Sequence, residues 1–167
     1  MWKKRGQAVL TEDQTKELWY EMFEAEARSL YFADLGHRYT RRKQIITGAS
    51  FFLSSGAAAT VLAHAPTWVP VVLACVTAIL TAYSIAVGLD QKAATMAKLH
   101  YNWSQIEDER RRIWAKWYED DAELKLREVE ARAADASQTA VTEAPYNEDL
   151  LNKWASFVYK QHHVATA

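Results

Sequence analysis

The sequence contains few of the residues that interrupt helices or cross-link chains. Among its 167 residues are five glycines, three prolines and one cysteine. The single cysteine, Cys75, excludes an internal disulfide and provides no metal-ligand spacing. Alternating runs of β-branched residues are scarce, so the pattern predicts an all-α protein.

Motifs that carry chemistry are also missing from the sequence. It contains no phosphate-binding loop, no zinc-protease helix, no paired-cysteine motif and no nucleophile elbow. We therefore expect neither an enzyme nor a bound cofactor or metal. The net charge of -1 and the pI of about 6.5 do not predict a nucleic-acid partner.

Charge is absent from one long stretch of the chain. The mean hydropathy of -0.29 is that of a soluble protein, yet no Lys, Arg, Asp or Glu occurs from Gln44 to Leu89. A bilayer core needs roughly 20 apolar helical residues. Residues 45-64 and 69-89 satisfy this requirement, and a proline-containing turn separates them. The alternative is a buried hairpin within a larger soluble assembly.

These features predict an all-α membrane protein with a two-span transmembrane helical hairpin (45-89), long cytoplasmic helices and an oligomeric state. Basic residues flank the hairpin, at Arg38, Arg41, Arg42 and Lys43 before it and at Lys92 and Lys98 after it. The turn carries no charge, so the positive-inside rule places both termini in the cytoplasm. Met1–Arg5 is basic but lacks the apolar core of a signal peptide. His64 is expected at the outer membrane interface.

The charged flanks predict long helices. Residues 1-44 form an N-terminal cytoplasmic helix, with a capping box at Thr11–Gln14. Residues 90-136 form one long helix with a heptad pattern that packs on the N-terminal helix or on a neighbouring subunit. Residues 137-145 are a linker, and residues 146-163 are a short amphipathic helix. The predicted oligomer seam consists of Met96, Leu99, Trp103, Ile106, Ile113 and Trp117.

Hydroxyl-bearing residues recur at helical spacing in both spans. They are Thr47, Ser50 and Ser54 in the first span, and Thr77, Thr81 and Ser84 in the second. Such residues either pack helices closely or line the pore of an oligomer. Large residues of the second span, including Leu73, Val76, Leu80, Tyr83 and Val87, are predicted to lie opposite and to face lipid or another apolar helix.

The pattern resembles the bacterial SLATT family, the two-transmembrane effector domain associated with SMODS and SLOG proteins. The resemblance extends over roughly Trp19 to Glu128. It rests on the aromatic pair and basic border that end at Lys43, the small-residue first span, and the exit from Asp90 through His100. It implies a membrane effector of prokaryotic conflict systems that forms pores when a sensor is triggered. No sensor domain is recognisable, which suggests activation by a partner protein or by self-assembly.

The expected function is therefore an oligomeric, pore-forming effector of the bacterial inner membrane that acts in anti-phage defence. Its expected partners are the lipid bilayer, other copies of the chain, and a sensor or activator protein. One alternative is a non-conducting membrane adaptor that docks a cytoplasmic partner. Another is a transporter subunit, although the spans lack the intramembrane charge typical of transporters.

Overall fold

The computed structural model describes residues 10–63 and 66–164. Of these described residues 89% are helical, and none lies in a β-strand. In chain order the five helices are α1 (Glu12–Leu62), α2 (Trp68–Val87), α3 (Leu89–Ala115), α4 (Ala122–Glu143) and α5 (Glu148–Val164). Two of them are apolar enough to span a membrane, so the all-α class and the two candidate spans are confirmed.

Helix α1 begins at the predicted capping box. The Gln14 amide donates to Thr11 Oγ1 at 3.3 Å, and the Thr11 amide donates to Gln14 Oε1 at 2.9 Å. From there the helix runs for 51 residues without a break, through Gly36 and Gly48. At 1.5 Å per residue its length is about 75 Å. Helix α1 therefore includes both the charged N-terminal segment and the first apolar segment.

The chain divides into two compact units. We call Leu35–Ala94 the hairpin unit, and Met1–Asp34 with Thr95–Ala167 the core unit. The hairpin unit contains the second part of α1, all of α2 and the first turn of α3. The core unit contains the first part of α1 with most of α3, α4 and α5.

The core unit buries apolar side chains from several helices. Leu18, Met96, Leu99, Val129 and Val158 are its most deeply buried large side chains, and they come from four different helices. Packing of apolar faces from α1, α3, α4 and α5 is therefore what stabilises this unit.

One ion pair is buried in the core unit. The Arg110 guanidinium contacts Glu21 Oε2 at 2.9 Å and donates to the Glu21 carbonyl at 2.9 Å, joining α3 to α1. Burial raises the pKa of Glu21 and lowers the pKa of Arg110, and the attraction between the two charges offsets only part of each shift. Loss of Glu21 would leave the buried Arg110 charge without this partner.

The predicted single helix over 90-136 is wrong, because α3 ends at Ala115 and α4 begins at Ala122. The intervening turn has ion pairs from Lys116 to Glu119 at 3.0 Å and from Lys125 to Asp121 at 2.8 Å. The turn lets α4 bury Ala122, Leu126 and Val129 in the same interior as α3. A straight helix would leave that apolar face in water.

The predicted linker over 137-145 is also shorter than expected. Helix α4 continues to Glu143, and Ala136 is buried in its last turns. Ala144 then adopts an extended conformation, with φ -102° and ψ 141°. The following residue is Pro145, whose ring disfavours helical geometry in the residue before it. Proline, rather than the small polar residues, therefore sets the end of the helix.

Helix α5 begins after Asn147, whose Oδ1 accepts the Leu150 amide at 2.9 Å. The predicted short amphipathic helix is present, and its apolar face packs within the chain. Val158 forms a buried cluster with Met22, Phe23 and Ala27 of α1.

Gly88 separates α2 from α3. It has φ 62° and ψ 41°, and its amide bonds back to the carbonyl of Ile85 at 3.0 Å. Residues with a Cβ atom rarely adopt this left-handed conformation, so glycine is suited to the position. The second span and the helix that follows it are therefore two helices and not one.

Candidate functional site: the apolar hairpin

Two helices carry stretches long and apolar enough to cross a membrane, one in the second part of α1 and one in α2. In each, none of the most apolar 18 residues is buried within the chain. An apolar helix in the core of a soluble protein is mostly buried, so these two behave differently. The finding is compatible with a membrane location.

The two apolar helices contact each other along one face. On α2 the half-buried residues recur at intervals of three and four, and they include Leu73, Leu80 and Val87. On α1 they include Leu53 and Gly56. A methyl group added at Gly56 would lie 3.9 Å from Leu73 Cδ1, so the small residue faces the large one. We call this contact the inner face of the hairpin.

The predicted hydroxyl stripe divides between two environments. Three members are half-buried on or beside the inner face, and three are exposed on the outer surface of the hairpin unit. The half-buried residues are Ser50, Thr77 and Ser84, and the exposed residues are Thr47, Ser54 and Thr81. Only the exposed members are available to another molecule.

Two threonines of α2 form hydrogen bonds within their own helix. Thr77 Oγ1 donates to the Leu73 carbonyl at 2.9 Å, and Thr81 Oγ1 donates to the Thr77 carbonyl at 2.9 Å. Their hydroxyl groups therefore have partners even where the side chain is surrounded by apolar groups. Ser50 Oγ differs, because it is buried and has no hydrogen-bond partner among the residues that the structure describes.

The large residues of α2 divide between the two predicted surroundings, although not all of them lie opposite the hydroxyl stripe. Leu73, Leu80 and Val87 lie half-buried on the inner face, whereas Val76 and Tyr83 are exposed as expected. At 100° per residue, Leu73 and Leu80 lie next to Thr77 on the helix surface rather than opposite it. The pattern could not separate these positions, because the inner face and the outer surface of the hairpin are both apolar.

The basic border lies at the open end of the hairpin. Arg38, Arg41, Arg42 and Lys43 all have exposed side chains on α1. Lys43 forms an ion pair with Asp90 at the start of α3. At the opposite end Trp68 is 66% exposed, and the predicted interfacial residue His64 lies outside the described residues.

Most residues of the predicted oligomer seam are buried within the chain itself. Met96, Leu99, Trp103, Ile106 and Ile113 are all buried in the core unit, and Trp117 lies in the turn after α3 with 43% of its surface exposed. This corrects the prediction of a seam between subunits and favours the alternative, packing on the N-terminal helix. A heptad pattern marks an apolar face but does not identify the helix that covers it.

An exposed aromatic patch in the core unit was not predicted. It consists of Tyr20 on α1, Trp114 at the end of α3, and Trp117 and Tyr118 in the turn that follows, with exposed fractions from 39% to 62%. Beside it lies a groove of about 360 Å³ lined by Trp19, Tyr20 and Trp114. Their spacing resembles that of core residues, so the sequence pattern does not predict their exposure.

No match was found for this chain among protein-family models, curated proteins or solved structures.

Proposed function

We propose that this chain is an oligomeric two-span membrane protein whose hairpins assemble into a pore. In this proposal it resides in the bacterial inner membrane with both termini in the cytoplasm. It acts as an effector of an anti-phage or other conflict system, as its resemblance to the SLATT family implies. One observation supports the proposal most directly: helix α2 has no buried residue. Lipid, or other copies of the chain, would cover that surface.

An oligomer is required because two helices cannot enclose a conduit. The outer surface of α2 offers a means of assembly. Ala74, Ala78, Ala82 and Ala86 are all exposed and spaced four residues apart. Small residues at this spacing let helix backbones approach closely within a membrane. Thr81 lies beside this row and would line the conduit or pack against the neighbouring helix.

Activation in this proposal comes from a partner protein or from self-assembly. A pore needs no nucleophile, metal or cofactor, and the proposal assigns none. The basic border, chiefly Arg41 and Arg42, interacts with anionic headgroups on the cytoplasmic side. Each such cation contributes about 1 kcal/mol near an anionic surface.

The proposal is tested by ion flux from liposomes that contain the purified chain. Thr81→Leu places a larger side chain beside the alanine row and should change flux at least severalfold while the oligomer survives. Val76→Leu is the matched control, because Val76 is exposed on a different side of α2. It should leave flux unchanged. Oligomer size is measured by cross-linking in the same liposomes.

Three outcomes would count against this proposal. Absence of flux from an inserted oligomer, even with its activator present, would exclude the pore. Equal effects of Thr81→Leu and Val76→Leu on ion flux would show that Thr81 does not line the conduit. Loss of the oligomer in Thr81→Leu would make the alanine row a packing surface alone.

The second candidate function is a non-conducting membrane adaptor. The exposed aromatic patch of the core unit supports it, because aromatic residues are enriched in protein interfaces. In this case Trp114 and Trp117 would contact a cytoplasmic partner. A stoichiometric complex that forms without ion flux, and that is lost in Trp114→Ala, would favour the adaptor over the pore.

A further inference from the structure

A groove of about 250 Å³ lies in the hairpin unit between the end of the basic border and α2. Five of its six lining residues are apolar or aromatic, and the sixth is Arg42. The apolar residues are Ile45, Ile46, Tyr83, Val87 and Leu89. The groove thus combines one cation with an apolar surface, on helices that are compatible with a membrane location.

The charge of Arg42 is available to a ligand. The neighbouring Lys43 is paired with Asp90, which is the only acidic residue between Leu35 and Ala94. The same segment carries five cations, of which Arg42 alone lines the groove. Arg42 has no carboxylate partner in the part of the chain that the structure describes. The groove therefore attracts an anion.

The groove extends along the helix axes. Ile46 follows Arg42 by one helical turn on α1, and Tyr83 lies four residues before Val87 on α2, a distance of about 6 Å at 1.5 Å per residue. Arg42 and Leu89 mark the end where the chain becomes charged, and Tyr83 lies farther into the apolar segment. An occupant would therefore have its charged group at Arg42 and its apolar part beside Ile45 and Tyr83.

We propose that this groove binds one anionic phospholipid, with its phosphate on the Arg42 guanidinium and the first part of an acyl chain against Ile45, Val87 and Tyr83. The planar guanidinium suits phosphate oxygens, to which it donates two hydrogen bonds. A free phosphate would leave the apolar surface uncovered. The inference rests on the proposed membrane location, and it goes further by assigning one lipid to one site.

The experiment uses the full chain purified in a neutral detergent, with bound lipids counted by native mass spectrometry. Phosphatidylglycerol and phosphatidylcholine with identical acyl chains are added in separate titrations. The unmodified chain should retain phosphatidylglycerol more strongly. Arg42→Gln should reduce that binding about fivefold, the factor expected for loss of one cation near an anionic headgroup. Arg41→Gln is the matched control: in detergent there is no bilayer surface for Arg41 to contact, and Arg41 does not line the groove, so binding should change by less than about twofold.

A second variant tests the apolar part of the site. Ile45 is 61% exposed, so Ile45→Trp should fill the groove without disturbing the fold. It should lower phosphatidylglycerol binding although every cation is retained. An unchanged affinity in Ile45→Trp would exclude the groove, and equal losses in Arg41→Gln and Arg42→Gln would indicate diffuse attraction by the border. Displacement of the lipid by excess glycerol phosphate would show that the headgroup alone binds.

Failure of the membrane location can be recognised separately. Expressed chain that leaves the membrane fraction in an alkaline carbonate wash would overturn the proposed function and this inference together. Chain that stays in the membrane, but binds phosphatidylglycerol equally in all variants, would overturn only the lipid site.

Discussion

The core unit buries most of its large apolar side chains, whereas the hairpin unit exposes them. Among the described residues, only Leu35 and Leu89 of the buried apolar set belong to the hairpin unit, and the rest lie in the core unit. The hairpin instead exposes residues such as Phe51, Phe52 and Ile79, each at 67% or more. One chain thus contains a region organised around its own interior and a region whose apolar surface is left for its surroundings.

The charges follow the same division. Between Leu35 and Ala94 the chain carries one acidic residue, and the remaining 20 of its 21 acids belong to the core unit. In the core unit many of these acids pair with basic residues on the same or a neighbouring helix, as Glu109 does with Arg132 and Glu107 with Arg111. The hairpin unit has more basic than acidic residues, and this excess of positive charge suits an anionic lipid surface.

The largest expected effect tests this difference in burial by truncating one isoleucine in each unit. Ile106 is 2% exposed in the core unit, whereas Ile79 is 67% exposed in the hairpin unit. Ile106→Ala should lower the free energy of unfolding by about 3 kcal/mol, because it leaves a cavity. Ile79→Ala should change it by less than about 0.5 kcal/mol. Denaturant titration in detergent, followed by tryptophan fluorescence, measures both; equal losses would contradict the division.

Two glycine substitutions compare the turn at Gly88 with the interior of α1, both within the hairpin unit. Nothing lies within 4 Å of a methyl group built at Gly88 or Gly48, so crowding affects neither substitution. Gly88→Ala should destabilise the chain by about 1-2 kcal/mol, because Gly88 has a left-handed conformation. Gly48→Ala lies within α1 and should stabilise it by up to about 1 kcal/mol. Thermal unfolding monitored by circular dichroism should show shifts of opposite sign; a shared sign would argue against the turn at Gly88.

The smallest expected effect is on the pH dependence of stability, and it involves the core unit alone. Burial, and then the nearby Glu26 carboxylate, raise the pKa of Glu107 above its usual 4.5. The folded state therefore binds this proton more tightly than the unfolded state, and stability falls as the pH rises from 4.5 through the raised pKa. Glu107→Gln should remove that fall. Unfolding free energies measured across this range should show a flatter slope in the variant.

Glu119→Gln provides a control of opposite sign. The hydrogen bond from Lys116 lowers the pKa of Glu119, so its contribution to stability is present above pH 4.5 and lost as the pH falls below it. The variant should lack that acid-side loss and should leave the slope above pH 4.5 unchanged. Identical profiles for the two variants would show that neither carboxyl group is responsible.

The sequence was sufficient to predict the features that depend on local chemistry. Thr11 and Gln14 form the capping box, the charge-free stretch forms two apolar helices, and the residues after Pro145 form an amphipathic helix. Each of these follows from a short-range rule on capping, hydropathy or periodicity. The helix bounds in these places agree with the prediction to within a few residues.

The features that were mispredicted depend on contacts between distant residues. The turn at 116-121 interrupts a proline-free and glycine-free segment, because α4 gains burial by reversing direction. The heptad residues Leu99 and Trp103 are buried within the chain. The heptad pattern does not predict whether the covering helices belong to the same chain or to another copy. The hydroxyl stripe divides because Thr77 and Thr81, although neighbours on the helix surface, differ in whether α1 covers them.

The single cysteine has a practical consequence. Cys75 is exposed on α2, seven residues after Trp68, and the chain has no other thiol. A spin label or fluorophore attached there would report from within the apolar hairpin alone. No cysteine would first have to be removed or introduced, so every variant described above could be studied with the same probe at the same position.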